Sequence, residues 1–517
     1  MKSDPQGSVK RTLATLAVLC ALAGCTRAPR RAVERLAILP FENLTDDASL
    51  DWIRAAGPAI LAEQVAGSAR LFPVSAPTLS EATFAGATRY LHCNFSRIQS
   101  SGAPAAAGTV LHFSFAVEDA ATRKMVTTGT ASGAILFAMN TLALALDPAA
   151  RPFSGSGAEA VAAWGHGDFA RALSLDPDFG AAWIGSIEQL TRSAKPEEAA
   201  AAGDKALARA SLRSPVDRVR IRLLLAGLRK DQLAREAALT ALAGLAPTDA
   251  ATVLALAEAQ QRRRRFPASA ALYRRVLVLE PGNAGAMNGL GYAEGEAGRP
   301  EAARLALEQY ARQPNQAANA LDSLGEVYFM NGSFAEAEKY FSQLTVRDPA
   351  FMDGAALMKA AYAHWLAARA SGGDFSGADA ILRRYLDSRA QANDPSVIWR
   401  EAAWLYSTGR PRGAIAKLAS APDNQKSLLD RQLAVWRGEI QPPTDPAELK
   451  AVYDSTNPAA DGLIRVIYAA ALLGEGKTDQ ARALLERWPL PESAGDPLLQ
   501  SLVFPKFLEL RSKLGIK

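Results

Sequence analysis

The sequence contains few of the residues that build disulfides, metal sites and acid–base centres. Its 517 residues include 3 cysteines and 4 histidines. His92, Cys93 and His112 fall on predicted strands, but no set of ligands at metal-site spacing accompanies them. No Ser-His-Asp or Cys-His combination stands in a supporting motif. The sequence therefore predicts no metal site, no cofactor and no enzymatic activity.

Strong charge and long apolar runs are also missing. The 58 basic and 53 acidic side chains leave a formal net charge of +5, which is too small an excess to favour nucleic acid as a partner. Beyond the amino terminus, no stretch approaches the roughly 18 uncharged apolar residues of a transmembrane helix. With 49% hydrophobic residues, the chain can instead bury substantial packed cores.

The first 25 residues have the pattern of a processing signal. Lys10 and Arg11 precede the apolar segment Thr12–Ala23, which is too short to span a bilayer of about 30 Å. The Leu-Ala-Gly-Cys sequence that ends at Cys25 resembles a bacterial lipobox. This resemblance implies a signal peptide over residues 1–24, a lipid on Cys25 and a tether over residues 25–32. The alternatives are an ordinary signal peptide and a cysteine that falls there by chance.

Lipidation would attach the protein durably to a membrane, because several acyl chains are buried. The resemblance also implies a position on the periplasmic side of the bacterial cell envelope. Thr26 follows the cysteine, whereas an aspartate there resembles an inner-membrane retention signal. The outer membrane is therefore favoured. With Cys20 removed and Cys25 lipidated, Cys93 has no disulfide partner within the mature monomer.

Residues 33–148 predict a small α/β domain. Strand patterns cover Arg35–Phe41, Leu71–Val74, Arg89–Phe95, Val110–Val117 and Lys124–Thr130, and helical spacing covers Trp52–Ala66. Leu36–Leu44, Gly86–Leu91 and Val117–Thr122 resemble the TolB-like module that precedes helical repeat arrays in bacterial signalling and envelope proteins. The resemblance implies protein contact or envelope sensing. Residues 149–179 are predicted to hold a linker, with Thr141–Pro148 and Ser154–Gly157 marking it, and a first helix.

A period of 34 residues dominates the second half of the chain. Four consecutive units start at Val216, Ala250, Ala284 and Ala318, and Pro247, Pro281 and Pro349 fall at the same place in the first, second and fourth of them. Position 8 is small, as in Gly291 and Gly325, and position 24 is large, as in Leu307 and Phe341. These residues resemble the tetratricopeptide repeat (TPR) consensus, whose helix pairs must stack on their neighbours to bury their apolar faces.

The repeat pattern extends beyond the four strict units. Gly180–Pro215 reads as one more pair, and turn glycines at Gly373, Gly409 and Gly476 indicate three downstream pairs. The predicted fold class is therefore mainly α: a TPR α-solenoid over residues 180–490, preceded by the α/β domain. Residues 491–517 are predicted to form a capping helix.

The resemblance to TPR proteins also implies a partner groove along the first helix of each pair. The positions that line it correspond to Asn288, Tyr292, Asn319, Asp322, Glu326, Phe329 and Met330. Such side chains suit an extended or helical peptide. Alternatively, they only form a groove surface that faces water. Arg262, Arg263, Arg264 and Arg265 form a charge run that is either a solvated turn or a contact for an anionic partner.

Two glycine-rich segments imitate nucleotide-binding motifs. Gly474–Thr478 lacks the first glycine of a phosphate-binding loop, and Gly289–Gly295 follows no predicted strand. Both fit repeat positions better. The sequence thus favours a non-catalytic, lipid-anchored scaffold that binds an unknown protein or peptide. The alternative is an envelope sensor whose TolB-like domain binds the ligand or partner.

Overall fold

The computed structural model describes residues 33–98, 110–155, 157–212, 214–422, 426–439, 444–491 and 497–516. The predicted signal peptide, Cys25 and the tether lie outside these ranges. The chain divides into two compact units. The first runs to Asp231 and includes Gly244–Asp249, and the second comprises Gln232–Ala243 and the residues from Ala250 onward. Within the described ranges, no helix combines the length and apolar character needed to cross a membrane.

A mixed sheet forms the start of the first unit. Its strands are β1 (Glu34–Ile38), β2 (Glu42–Asn43), β3 (Leu71–Ser75), β4 (Arg89–Arg97), β5 (Leu111–Asp119) and β6 (Met125–Gly133). The order is β3-β1-β4-β5-β6, with β2 paired to β4. β1 is parallel to β3 and β4, whereas β4, β5 and β6 form antiparallel pairs. The five predicted strands are confirmed, with ends shifted by a few residues.

The first unit also contains eight helices among its described residues. They are α1 (Ile53–Val65), α2 (Leu79–Phe84), α3 (Ile135–Leu146), α4 (Ala158–Gly165), α5 (Phe169–Leu175), α6 (Gly180–Arg192), α7 (Pro196–Leu207) and α8 (Pro215–Leu228). The predicted pair in Gly180–Pro215 corresponds to α6 and α7. Both helices bury apolar side chains against each other and against α8.

The sheet and helices α3–α6 share one hydrophobic core. Phe113 of β5, Leu142 of α3 and Val161 of α4 are fully buried within it. The structure therefore differs from the predicted linker, since residues 141–146 belong to α3. Ile135, Met139 and Leu142 have helical spacing and pack toward the sheet, so this segment is part of the core. The sheet and α6–α8 accordingly fall in one compact unit.

The second unit consists of consecutive helices. Its helices are α9 (Gln232–Leu245), α10 (Ala250–Arg262), α11 (Phe266–Leu279), α12 (Ala284–Glu296), α13 (Pro300–Ala311), α14 (Ala317–Met330), α15 (Phe334–Arg347), α16 (Ala355–Ser371), α17 (Ser376–Gln391), α18 (Val397–Ser407), α19 (Pro411–Ala419), α20 (Lys426–Trp436), α21 (Pro446–Ser455), α22 (Gly462–Gly474), α23 (Thr478–Leu485) and α24 (Pro497–Lys513). The last two residues of α9 fall in the first unit. From α10 to α18, each helix packs on the next. This confirms an array of helix pairs.

The phase of the repeat is confirmed by contacts between its positions 8 and 24. A Cβ atom built on Gly291 would lie 2.5 Å from Cγ of Leu307, and one on Gly325 would lie 2.3 Å from Cε1 of Phe341. Only glycine permits this close approach of the two helices. The turns between helices use Gly298 and Gly332 at φ of +74° and +77°, in the left-handed region that glycine enters without strain.

The closing helix exists as predicted, but it does not simply cap the last pair. α24 packs against α18, α20, α22 and α23. Its Phe504 also reaches back to the aromatic side chains of α14 and α16. The carboxyl-terminal helix is therefore an internal part of the second unit.

Candidate functional site

The first helices of successive pairs, α10, α12, α14, α16 and α18, form what we call the first-helix face. The seven residues predicted to line a groove lie on α12 and α14. Asn288, Tyr292, Asn319 and Glu326 are partly exposed. Asp322, Phe329 and Met330 are buried, so the expectation that these three line an open groove is wrong.

Asp322 is buried because it belongs to an ion-pair network. Nζ of Lys359, on α16, lies 2.8 Å from Oδ1 of Asp322 and 2.7 Å from Oε1 of Glu326. The Tyr292 hydroxyl donates a hydrogen bond of 2.6 Å to the other oxygen of Glu326. Burial raises the pKa of Asp322, the charge of Glu326 adds to that effect, and Lys359 opposes it. The network joins α12, α14 and α16.

Phe329 and Met330 are buried because the carboxyl-terminal region covers them. The Phe504 ring of α24 lies 6.3 Å from the ring of Phe329. The backbone N–H of Trp488 donates a hydrogen bond of 2.9 Å to the carbonyl oxygen of Met330. The Phe504 ring also lies 5.0 Å from that of Tyr362 on α16. Over α14 and α16, the chain's own aromatic side chains thus occupy the first-helix face.

The face is more open over α10 and α12. Leu254 and Glu258 of α10 occupy the repeat positions of Asn288 and Tyr292 of α12. Glu258 is exposed, and the other three side chains are partly exposed. The Ser323 hydroxyl donates a hydrogen bond of 3.1 Å to the side-chain oxygen of Asn288, which fixes the orientation of this amide. An apolar, an acidic, an amide and an aromatic side chain are therefore held on adjacent helices.

The four arginines of the charge run have different environments. Arg262 is exposed at the end of α10. Arg263 and Arg265 form ion pairs with Glu236 of α9, at 3.4 and 2.6 Å. Arg264 points inward, where its Nη2 lies 3.0 Å from Oδ2 of Asp461. The run is therefore not one uniform basic patch.

Arg264 also contacts two other groups near α21. Its guanidinium lies 3.8 Å from the centre of the Tyr453 ring, a distance suited to a cation–π interaction. Its Nη2 donates a hydrogen bond of 3.3 Å to the carbonyl oxygen of Thr456. Sequence reasoning missed this arrangement because Arg264 and Asp461 are 197 residues apart and belong to no common motif.

The remaining sequence candidates lie apart from these groups. His92 pairs with Glu118 at 3.0 Å, and His112 with the Ser132 hydroxyl at 2.7 Å. Burial raises the pKa of the Cys93 thiol to about 12. Among the described residues, no three His, Cys, Asp or Glu side chains gather as a metal site requires. Gly474–Thr478 forms the turn from α22 to α23, as the repeat interpretation predicted.

Comparisons with solved structures find matches at low identity and low TM-score, three of which are described here. No protein-family model matches it, and no curated protein matches it significantly. A tetratricopeptide repeat protein from Parabacteroides merdae matches at 13% identity with a TM-score of 0.31, over 57% of this chain and 98% of its own. The Naa15/Naa10 structure with HypK-THB matches at 16% and 0.30, over 69% of this chain and 57% of that one. The P58(IPK) TPR domain matches at 15% and 0.17, over 69% and 94%.

TM-scores this low do not establish a common overall fold. The helix pairs of this chain are instead defined by its own helices and by the contacts between repeat positions 8 and 24.

Proposed function

We propose that the protein is a non-catalytic, lipid-anchored scaffold of the bacterial cell envelope that binds a protein partner through α10 and α12. Stacked helix pairs present an extended face on which side chains from successive repeats lie side by side, and repeat proteins use such faces for binding. The observation that carries the proposal is the contrast along this face. Helices α14 and α16 are covered by α24, whereas α10 and α12 keep Leu254, Glu258 and Asn288 accessible.

The chemistry of this open surface suits a peptide segment. Leu254 and Tyr292 offer apolar contact area, and aromatic side chains are frequent anchors at interfaces. The Asn288 amide can exchange hydrogen bonds with a backbone, while Glu258 favours a basic side chain on the partner. We expect the partner to be a basic segment with at least one apolar anchor.

A charge reversal on this face tests the proposal. Glu258→Arg places a positive charge on the first-helix face, and Glu336→Arg makes the same change on α15, a second helix, where Glu336 is also exposed. Envelope proteins cross-linked to the wild-type chain are identified by mass spectrometry, and the recovered partner is titrated against all three purified proteins. Glu258→Arg should weaken binding at least about tenfold, and Glu336→Arg should bind like the wild type. Equal binding by all three contradicts the assigned surface.

The same titration addresses the alternative role as an envelope sensor. Deletion of the α/β segment is unsuitable because the sheet shares its core with α4–α6. Phe84 at the end of α2 is 96% exposed, so Phe84→Ser changes the surface of that segment without opening the core. If Phe84→Ser loses the partner while Glu258→Arg retains it, the α/β segment is the binding module and the scaffold proposal fails.

The anchor is tested separately at Cys25, outside the described residues. Cys25→Ser should release the protein from membranes, because the preceding apolar segment is too short to span a bilayer. Cell fractionation and mass measurement of the mature amino terminus provide the readout. A mutant that stays in the membrane fraction, together with an unlipidated wild-type chain, would contradict lipid anchoring.

A further inference from the structure

Three arginines surround one buried carboxylate in the second unit, and we call them the arginine cluster: Arg264, Arg465 and Arg487. The carboxylate is Asp461, whose side chain is 1% exposed. Its oxygens lie 3.0 Å from Nη2 of Arg264, 3.2 Å from Nε of Arg465 and 2.9 Å from Nη2 of Arg487. One carboxylate thus faces three positive charges.

The nearby carboxyl groups do not balance these charges. Glu296 is the second buried one, with Oε1 3.4 Å from Nη1 of Arg487. Burial raises the pKa of Glu296 to about 7, Asp461 adds to that effect, and Arg487 opposes it. Three guanidinium groups therefore face one buried negative charge when Glu296 is protonated and two when it is ionised. Glu486 also borders the region, but it is exposed.

The hydrogen bonding of the cluster is incomplete as well. Among the described residues, Nε of Arg264 has no hydrogen-bond partner. Nε of Arg465 and Nη1 of Arg487 lie within ion-pair distance of Asp461 and Glu296 but make no hydrogen bond to them. The Arg465 side chain is 3% exposed, and burial lowers its pKa to about 10, so it stays positively charged at neutral pH. A buried charge without full compensation is costly, and a bound anion removes much of that cost.

A cavity with room for such an anion adjoins the cluster. Its volume is about 330 Å³, and all three residues of the arginine cluster line it. Phe266, Met330 and Leu484 are among its other lining residues. Small-molecule sites commonly combine an apolar lining with a few polar groups that fix the ligand.

The backbone at Arg264 adopts a conformation that glycine has at the same position in later repeats. Arg264 has φ of +56° at the repeat position where Gly298 and Gly332 have +74° and +77°. Lys230 has the same position in the preceding unit, at +55°. A side chain in this left-handed conformation costs roughly 1 kcal/mol relative to glycine. At Lys230 the side chain is exposed, whereas at Arg264 it enters the cluster.

We propose that this cavity binds a small organic anion, whose carboxylate or phosphate group pairs with the arginine cluster and whose apolar part contacts Phe266, Met330 and Leu484. Guanidinium groups match both oxyanions through paired N–H donors. The proposal is independent of the partner surface on α10 and α12.

The matched variants are Arg264→Gly and Lys230→Gly. Each removes one positive charge from the same turn position and gives the backbone its preferred residue, so both should fold. Calorimetric titration uses benzoate, phenyl phosphate and inorganic phosphate at constant ionic strength. At least one phenyl compound should bind saturably to the wild type and more tightly than inorganic phosphate, because its ring also contacts the apolar lining residues. Arg264→Gly should weaken that binding about tenfold or more, and Lys230→Gly should leave it unchanged.

The individual outcomes are decisive. Preference for benzoate or for phenyl phosphate identifies the carboxylate or the phosphate as the head group. Benzoate stays ionised from pH 6 to pH 8, so tighter benzoate binding at pH 6 is expected if Glu296 takes up a proton. If no probe binds the wild type, or if Arg264→Gly binds as the wild type does, the cavity is not an anion site. Should Arg264→Gly fail to fold, Arg264→Lys replaces it, since it keeps the charge and loses the planar pair of donors.

Discussion

Lys359 shows how single charged residues stabilise the helix array. Its side chain is 1% exposed and lies between Asp322 and Glu326, so its buried positive charge is balanced by two carboxylates. The Tyr292 hydroxyl bonds to Glu326, and both burial and this carboxylate raise the pKa of the phenol well above its usual range. Tyr292 therefore contributes both to the partly exposed surface of α12 and to cohesion between repeats, so a substitution there would change both.

We predict that Lys359→Met strongly destabilises the second unit. The change leaves Asp322 and Glu326 without their cation, and breaking a buried ion pair in this way costs roughly 3–5 kcal/mol. Lys339→Met is the control, because Lys339 and its partner Glu336 are exposed and 3.3 Å apart. Chemical denaturation should show a large decrease in the free energy of unfolding for Lys359→Met and little change for Lys339→Met. Comparable losses would mean that the Lys359 network contributes no more than a surface pair.

Gly325 allows a sharp test of helix contact within one repeat. A Cβ atom there would lie 2.3 Å from Phe341, so even Gly325→Ala must displace the ring or separate the helices. We expect a loss of roughly 1–3 kcal/mol. Gly227 in α8 has no atom within 4 Å of its Cβ position, and Gly227→Ala should gain up to about 1 kcal/mol from helix propensity. Opposite shifts in thermal melting support the assigned phase, whereas a stable Gly325→Ala contradicts it.

At the scale of elements, α24 determines which part of the first-helix face is available. Phe504 is buried against Phe329, Tyr362 and Trp365, with ring centres 5.0 to 6.3 Å apart. Aromatic side chains of this size contribute strongly to a core. The helix therefore stabilises the array while it excludes a partner from α14 and α16.

We predict that Phe504→Ala costs roughly 3–5 kcal/mol, the usual range for removing a buried phenylalanine ring. Val346→Ala on α15 is the control, because Val346 is 84% exposed. Thermal melting should fall for Phe504→Ala alone. Hydrogen exchange should then increase in α14 and α16, which lose the covering ring. Unchanged exchange in these helices would show that Phe504 does not hold them.

The elements differ in how far the sequence predicts them. The positions of α12 to α15 follow from a 34-residue period, because glycine at position 8 and a large residue at position 24 record a contact between helices that are adjacent in sequence. The contacts of Phe504 leave no such pattern in the nearby sequence, since its partner Phe329 on α14 lies 175 residues earlier in the chain. Repeat positions carry no information on such distant contacts. They therefore predicted Phe329 and Met330 as groove residues, whereas α24 and Trp488 cover them.

The burial of Lys359 can be predicted from the sequence only in part. It is the lone lysine in the apolar segment Ala355–Ser371, and a charge in such a setting indicates a buried pair. Its partners could not be assigned without the stacking of α14 on α16. The arginine cluster lies further beyond sequence reasoning, because it combines a repeat turn with residues almost 200 positions later.

At the scale of the whole molecule, buried carboxyl groups make stability depend on pH. In the first unit, Glu63 of α1 and Asp217 of α8 interact. Burial raises the pKa of Glu63 from 4.5 to about 8, Asp217 contributes further, and Arg220 opposes the shift. Burial also raises the pKa of Asp217, against the opposing effects of Ser154, Arg220 and Ser214. Glu296 in the second unit shifts in the same direction, to about 7.

The sign of the effect follows from proton binding. Between pH 4.5 and about 8, folded Glu63 holds a proton that the unfolded chain has released, so the folded state binds more protons. Its contribution to stability is fully present below pH 4.5 and is lost as pH rises through about 8. We therefore predict a lower melting temperature for the first unit at about pH 8.5 than at about pH 6.

Glu63→Gln imitates the protonated side chain at every pH. It should stabilise the first unit at about pH 8.5 by on the order of 2 kcal/mol and reduce the fall in melting temperature above about pH 6. Glu159→Gln is the control, because Glu159 is exposed in the first turn of α4. Calorimetric melts at both pH values give the comparison. If Glu63→Gln and the wild type lose stability equally with rising pH, the Glu63 and Asp217 pair is not protonated in the folded state, and the pH dependence originates elsewhere.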